Sequence, residues 1–228
     1  MSADLFWRKF WDAKATEPTD FRATGRGGME VPDFLLTVAE AARLLDLGPQ
    51  DRVLDAGCGS GIFALALAPW VKAVKGVDLS PGMIERARAN GAGVANLSFE
   101  VAPITALPVP DQSIDKLLAY SVLQYLDGET AVATAFREIK RVLRRGGKAL
   151  LAANPDPARH DAFIAAVMAK PDETMRRTEI DLVARTLWIA PSRLSALAEE
   201  CGLAAQVAAI HKRIWQHFYM YDLVVSAP

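Results

Sequence analysis

Apolar positions along the chain change period several times, and these changes divide it into short elements. Phe6, Trp7, Phe10 and Trp11 have helical spacing, but Pro18, Gly25, Gly27 and Gly28 follow, so the first thirty or so residues are expected to be irregular. Residues 31–45 predict an amphipathic helix with Leu35, Val38, Ala42 and Leu45 on its apolar face. Leu47-Gly48-Pro49 should stop it, with Gly48 in the left-handed position after the helix end. Strands are then predicted over residues 52–56, 73–78, 97–102, 116–120 and 148–153, separated by helices over 62–70, 81 onward and 130–144. Ser80-Pro81 reads as a helix start, with Ser80 as N-cap and Pro81 where its missing N–H costs nothing. Val132, Phe136, Ile139 and Leu143 mark the buried face of the 130–144 helix, and Gly146-Gly147 should end it. Beyond Asn154 the pattern loosens into helices over 160–169, 179–187 and 191–200. Two last strands, 206–211 and 218–226, are close enough to form an antiparallel hairpin. Alternation of this kind predicts an α/β fold: a Rossmann-like, seven-stranded, mainly parallel sheet with a C-terminal antiparallel hairpin and helices on both faces.

Composition narrows the class. The 228 residues are 51% apolar, enough for one domain with a sizeable core. Lys+Arg 26 against Asp+Glu 27 leaves a net charge of -1, so no nucleic-acid partner is expected. Arg137, Lys140, Arg141, Arg144 and Arg145 read as the solvated side of a helix. Cys58 and Cys201 form no disulfide framework and no metal-type pair, and metal independence is expected. Neither a secretory leader nor a membrane span is evident. A cytoplasmic location is the expectation, and the oligomeric state is left open.

The most specific local signal is Val53-Leu54-Asp55-Ala56-Gly57-Cys58-Gly59-Ser60-Gly61, which runs from the first strand into a helix. Glycines there let the backbone turn tightly and approach a ligand, at the strand end where open α/β sheets bind ligands. About twenty residues on, Asp78 ends the second strand, where a carboxylate can accept both hydroxyl hydrogens of a ribose. A dinucleotide site wants a third glycine that here falls on Ile62, and Asp55 is a poor neighbour for a pyrophosphate. Asp55 suits a ligand carrying an ammonium group and no phosphate.

Residues 55–61 resemble the first motif of the class I S-adenosylmethionine-dependent methyltransferases, most closely their small-molecule branch of the ubiquinone/menaquinone-biosynthesis type. The resemblance continues through Val77-Asp78-Leu79-Ser80-Pro81-Gly82-Met83-Ile84, through residues 107–115 before the fourth strand, and through Leu143-Arg144-Arg145-Gly146-Gly147. It covers roughly residues 51–153 and implies S-adenosylmethionine as cofactor. It implies that Asp55 and the backbone of Gly57, Cys58, Gly59 and Gly61 hold the methionine end. Asp78 would bind the ribose hydroxyls, Leu79 and Met83 would pack on the adenine, and Ser121 would line the methyl region. The family's polar residue for the adenine amino group is replaced by Pro103, which leaves the backbone N–H of Ile104 for that contact.

Methyl transfer from a sulfonium needs an aligned acceptor more than an acid, and a base only where the acceptor must lose a proton. His160, at the start of a segment expected to cover the acceptor (residues 154–190), is a candidate base, and Tyr125 and Gln124 are candidates to orient the acceptor. His211 and His217, flanking the final hairpin loop, read as structural or exposed. The aromatic residues of the first thirty suggest either simple packing or a lid hinged near Gly25–Gly28, with Arg26 near the cofactor carboxylate; residues 31–228 then form the methyltransferase domain. The leading expectation is a methyltransferase acting on a small-molecule acceptor, by O-, N- or C-methylation. Its rivals are a non-catalytic S-adenosylmethionine-binding subunit and an NAD-dependent oxidoreductase.

Overall fold

The computed structural model describes residues 3–228. The chain opens with helix α1 (Ala3–Lys14), a single turn α2 (Asp20–Ala23) and α3 (Val31–Leu45), then alternates through β1 (Arg52–Ala56), α4 (Ile62–Leu67), β2 (Ala73–Asp78), α5 (Pro81–Asn90), β3 (Leu97–Val101), β4 (Ile114–Tyr120), α6 (Gly128–Val142) and β5 (Leu143–Pro155). Helices α7 (His160–Met168), α8 (Glu173–Val183) and α9 (Pro191–Glu200) follow, and then strands β6 (Ala204–Ala208) and β7 (Met220–Ser226). The seven strands form one sheet in the order β3-β2-β1-β4-β5-β7-β6. Only β7 runs antiparallel, to β5 on one side and β6 on the other. The mainly parallel Rossmann-like sheet expected from the alternation is the one observed.

The two faces of the sheet follow from the alternation along each strand. In β1, Leu54 and Ala56 enter the core shared with Val132, Phe136 and Ile139 of α6 and with Leu194 and Leu197 of α9. Val53, just before Leu54, enters the opposite core, with Phe34 and Val38 of α3, Phe63 of α4 and Ile84 of α5. A central parallel strand is covered on both sides, which is why β1 is buried from Val53 to Ala56, Asp55 included. The order reverses between β1 and β4, so a crevice opens at their carboxyl ends, between the Gly57–Gly61 loop and the turn after Tyr120.

Several local expectations are corrected. The N-terminal segment is partly helical: Phe6, Trp7, Phe10 and Trp11 lie in α1 and residues 20–23 form α2, while 15–19 and 24–30 are irregular as expected. In α3 the buried face is Phe34, Thr37, Val38, Ala41 and Leu45, whereas Leu35 is exposed, because the helix is rotated by one position to place Phe34 against Phe63. The left-handed residue that ends α3 is Asp46 (φ 55), not Gly48. Helix α6 stops at Val142, before the glycines, because Leu143 already pairs with Ile114 of β4. Helix α8 starts at Glu173, where Asp172 caps it by accepting from Met175 N–H. The β6–β7 connection is residues 209–219, too long for a tight turn; His211 and His217 lie within it, both exposed.

Helix α1 is fastened to the rest of the molecule by polar contacts. Asp12 Oδ1 accepts from the Ser80 hydroxyl (2.5 Å) and from Gly82 N–H (3.1 Å), at the first turn of α5. From α5, Arg86 donates to the carbonyls of Ala15 and Glu17 and to Asp20. At the other end, the Arg185 guanidinium sits 4.6 Å from the Phe6 ring centroid.

Candidate active site

The loop after β1 is shaped by its glycines. Gly57 and Gly59 have φ of +80° and +52°. A Cβ on Gly57 would collide with the Val122 side chain, and one on Gly59 would stand 2.9 Å from Thr24 Cγ2, so the loop has no room for larger residues. Gly57 and Cys58 N–H donate to Val77 O at 2.7 and 2.9 Å, tying the loop to the end of β2. Asp78 completes that tie: one carboxylate oxygen accepts from Gly59 N–H (2.8 Å), the other from Ser80 N–H (2.9 Å). A carboxylate has about four acceptor sites, so two remain for a ligand. Burial pushes the Asp78 carboxyl above its ordinary range, while these backbone N–H groups oppose the shift.

The cavity beside this loop, about 120 Å³, is walled by several elements. Asp55, Gly57, Cys58 and Gly59 form its floor, and Asp78, Leu79 and Met83 one side. Pro103 and Ile104 lie beyond β3, and Ser121, Val122 and Tyr125 beyond β4. Asp4, Trp7, Trp11, Thr24 and Arg26 close it from the N-terminal segment. Trp7 is only 3% exposed and packs its ring 4.5 Å from that of Tyr125.

Two buried polar atoms on residues that line this cavity have no partner among the described residues. Asp55 is 2% exposed, and its Oδ2 is unbonded. Burial raises its carboxyl from 3.8 to about 7; Arg26 pulls it down and Asp78 pushes it up. The Arg26 guanidinium lies over the rings of Tyr120 (4.9 Å) and Phe63 (5.3 Å) and donates from Nη1 to Thr24 O, leaving Nε buried and unbonded. An unsatisfied buried acceptor or donor costs roughly 1–3 kcal/mol, so such a pair in one cavity points to a ligand that satisfies both. The α-ammonium and α-carboxylate of an amino acid have that complementary pair of charges.

Of the residues singled out from the sequence, Asp55, Gly57, Cys58, Gly59, Asp78, Leu79, Met83, Pro103, Ile104, Ser121, Tyr125 and Arg26 are brought together here. Gly61 is not on the cavity wall; it is the N-cap of α4, packed against Phe99. Gln124 is buried and does not line the cavity; its backbone carbonyl accepts from Leu187 N–H. His160 is not brought to the cavity. It is the first residue of α7, half exposed, with its ring 5.0 Å from Trp188 and outside the cavity, because α7 turns Phe163 and Val167 inward instead. Cys58 is buried and its thiol is pushed well up by that burial, which leaves it unreactive. Tyr120, Phe63, Thr24 and Asp4 escaped the sequence reading. Tyr120 and Phe63 look like ordinary core residues, and Asp4 like a helix-start acid. Only the neighbourhood of Thr24 to Arg26 hinted that this segment crosses the site.

Residues 54–151 match the family model described as a methyltransferase domain. Over these residues the chain carries a methyltransferase domain. The match runs from β1 to β5 and thus takes in the glycine loop, Asp78 and the turn after β4. The ubiquinone/menaquinone biosynthesis C-methyltransferase of Geobacter sulfurreducens is 35% identical over 169 residues, covering 62% of this chain and 64% of that protein. A 23S rRNA (uracil(1939)-C(5))-methyltransferase of Xanthomonas euvesicatoria is 40% identical over 106 residues, 41% of this chain and 24% of the other. The chain spans less than two thirds of the length of these curated relatives. Among solved structures, the N-methyltransferase NodS of Bradyrhizobium japonicum, in complex with S-adenosylhomocysteine, superposes with a TM-score of 0.68 at 18% identity, over 97% of this chain and 98% of that one. The methyltransferase domain therefore shares its whole architecture, and not only its central motifs, with that fold.

Proposed function

We propose that the chain transfers the methyl group of S-adenosylmethionine to a small-molecule acceptor. The observation that carries this reading is the pairing of unsatisfied Asp55 Oδ2 and Arg26 Nε in one cavity, next to an Asp78 carboxylate with acceptor capacity to spare. Asp55 receives the cofactor's ammonium group, Arg26 its carboxylate, and Asp78 the two ribose hydroxyls. Leu79 and Met83 pack on the adenine. Pro103 offers no side-chain partner to the amino group, so backbone at Ile104 and packing hold that end. Bound there, the cofactor supplies an activated methyl group whose leaving group is a neutral thioether. The protein's share is alignment and exclusion of water: Ser121, Val122 and Tyr125 approach from the turn after β4, and α1 closes the cavity from outside.

Residues 1–30 act as a lid in this reading, with residues 31–228 as the methyltransferase domain. Asp12 and Arg86 latch the lid to α5, directly after the ribose-binding Asp78. The net charge of -1 favours a small acceptor over the RNA substrate named for one relative. Ile62 in place of a third glycine, and Asp55 beneath the loop, disfavour a nicotinamide dinucleotide.

Calorimetry with S-adenosylhomocysteine and with NAD⁺ tests the reading. It predicts binding of the first and none of the second, and a loss of at least tenfold in affinity for both Asp78→Asn and Arg26→Ala. Comparable binding of NAD⁺ would overturn it.

A further inference from the structure

The acceptor side of the cavity has a chemistry of its own. Asp4, Trp7 and Trp11 stand three and four residues apart, hence on one face of α1, and all three line the cavity. Tyr125 faces them, its ring centroid 4.5 Å from Trp7 and 5.4 Å from Trp11. Four charged side chains line the cavity: Asp4, Asp55, Asp78 and Arg26. With Asp55, Arg26 and Asp78 engaged by the cofactor as described above, Asp4 is the one left over, exposed at the rim.

The charges are also unbalanced. The three carboxylates, when ionised, and one guanidinium sum to two negative charges, and S-adenosylmethionine brings one net positive charge. One negative charge is left for the acceptor to meet. A carboxylate next to tryptophan and tyrosine rings is a receptor for a cation, through both charge and the ring quadrupole. The same walls are poorly equipped for a hydroxyl acceptor. No histidine is among the described residues that line the cavity. Burial pushes the Tyr120 hydroxyl up to about 12 and the Tyr125 hydroxyl upward too, so both keep their protons at neutral pH.

We propose that the acceptor is an amine, seated between the Trp7–Trp11 face of α1 and Tyr125, with Asp4 as its counter-charge. The proposal rests on the methyl-transfer reading and names the substrate class of that site. The amine arrives as an ammonium ion and releases one proton to water at the rim. The nitrogen lone pair forms the new N–C bond to the methyl carbon, and the electrons of the broken C–S bond return to sulfur. Relative to the deprotonated amine, positive charge moves from sulfur to nitrogen, towards Asp4 and the aromatic wall, which stabilise that developing charge. Methylation of a neutral hydroxyl would need a base to take its proton, and no histidine is among the described residues that line the cavity.

The test uses the full chain loaded with S-adenosylhomocysteine, titrated with phenethylamine and with its neutral counterpart 2-phenylethanol, followed by tryptophan fluorescence. Turnover of phenethylamine and of 4-ethylphenol with S-adenosylmethionine is measured alongside. The amine is expected to bind at least tenfold tighter than the alcohol and to be the compound methylated. Asp4→Asn, a rim substitution that leaves the core untouched, should cut that preference at least tenfold while affinity for S-adenosylhomocysteine stays within twofold. Equal binding of amine and alcohol, no binding of either, methylation of the phenol in preference, or an unchanged preference in Asp4→Asn would each overturn the proposal. Failure to bind S-adenosylhomocysteine at all would instead overturn the cofactor reading beneath it.

Discussion

Asp55 gives the sharpest quantitative handle on the site. Its carboxyl is raised from 3.8 to about 7, chiefly by burial, with the attraction of Arg26 already counted against that shift. Ionising it in the empty protein therefore costs free energy: a shift of about three units corresponds to ~4 kcal/mol at 1.36 kcal/mol per unit. A carboxyl raised in the folded state carries no penalty below its unfolded value. The penalty grows as pH climbs from near 4 to near 7 and is constant above. Asparagine keeps the shape and removes the ionisation. Asp55→Asn should thus stabilise the ligand-free protein by as much as ~4 kcal/mol at pH 8, and by less than ~1 kcal/mol near pH 4. The cost would appear in binding, because the ammonium group loses its counter-charge: S-adenosylhomocysteine should raise the urea midpoint of the parent and not of the variant. Urea unfolding of both proteins at the two pH values, with and without ligand, is the assay. A variant destabilised at pH 8, or one stabilised equally at both pH values, would refute the reasoning.

Other outcomes follow from the same geometry. Cofactor affinity in the parent should fall as pH drops below about 7, the value to which Asp55 is raised, and this dependence should vanish in Asp55→Asn, as read by calorimetry across pH. Removing residues 1–15 should lower S-adenosylhomocysteine affinity more than tenfold and leave the sheet folded by circular dichroism, since the three core clusters include no residue before Phe21; equal loss of folding and binding would argue against a lid. Gly59→Ala places a Cβ 2.9 Å from Thr24 at a φ of +52° and should weaken cofactor binding at least tenfold, with a stability cost of ~1 kcal/mol or more. Methyl transfer should be unaffected by EDTA, because no group of three or more His, Cys, Asp or Glu residues among those described is arranged to hold a metal ion.

The parts of this site that were legible in the sequence are those fixed by local spacing. Asp55, Gly57 and Gly59 sit at the end of a buried central strand, and Asp78 at the end of the next, so strand register alone brings them together. Ser80 is legible as a cap because the cap and the N–H it satisfies are three residues apart. What the sequence did not disclose depends on contacts between distant segments. Nothing in the spacing of Phe6 to Trp11 says that α1 lies across the cavity; that depends on Asp12 meeting Ser80 and Gly82, some seventy residues away. Tyr120 reads as a strand residue until Arg26 is seen lying over it. His160 was attractive because histidine is the usual base, but the rotation of α7 is set by Phe163 and Val167 seeking the apolar cluster around Tyr219. Leu35 failed for a related reason, since Phe34 is the larger side chain to bury and fixes the helix phase.

A crystal structure of the full chain with S-adenosylhomocysteine tests the central claim most directly. The account predicts the ligand under α1, with Asp78 within about 3 Å of both ribose hydroxyls, Asp55 against the ammonium group and Arg26 against the carboxylate. A ligand whose ribose lies away from Asp78, or whose amino-acid end leaves Asp55 and Arg26 unpaired, would contradict it.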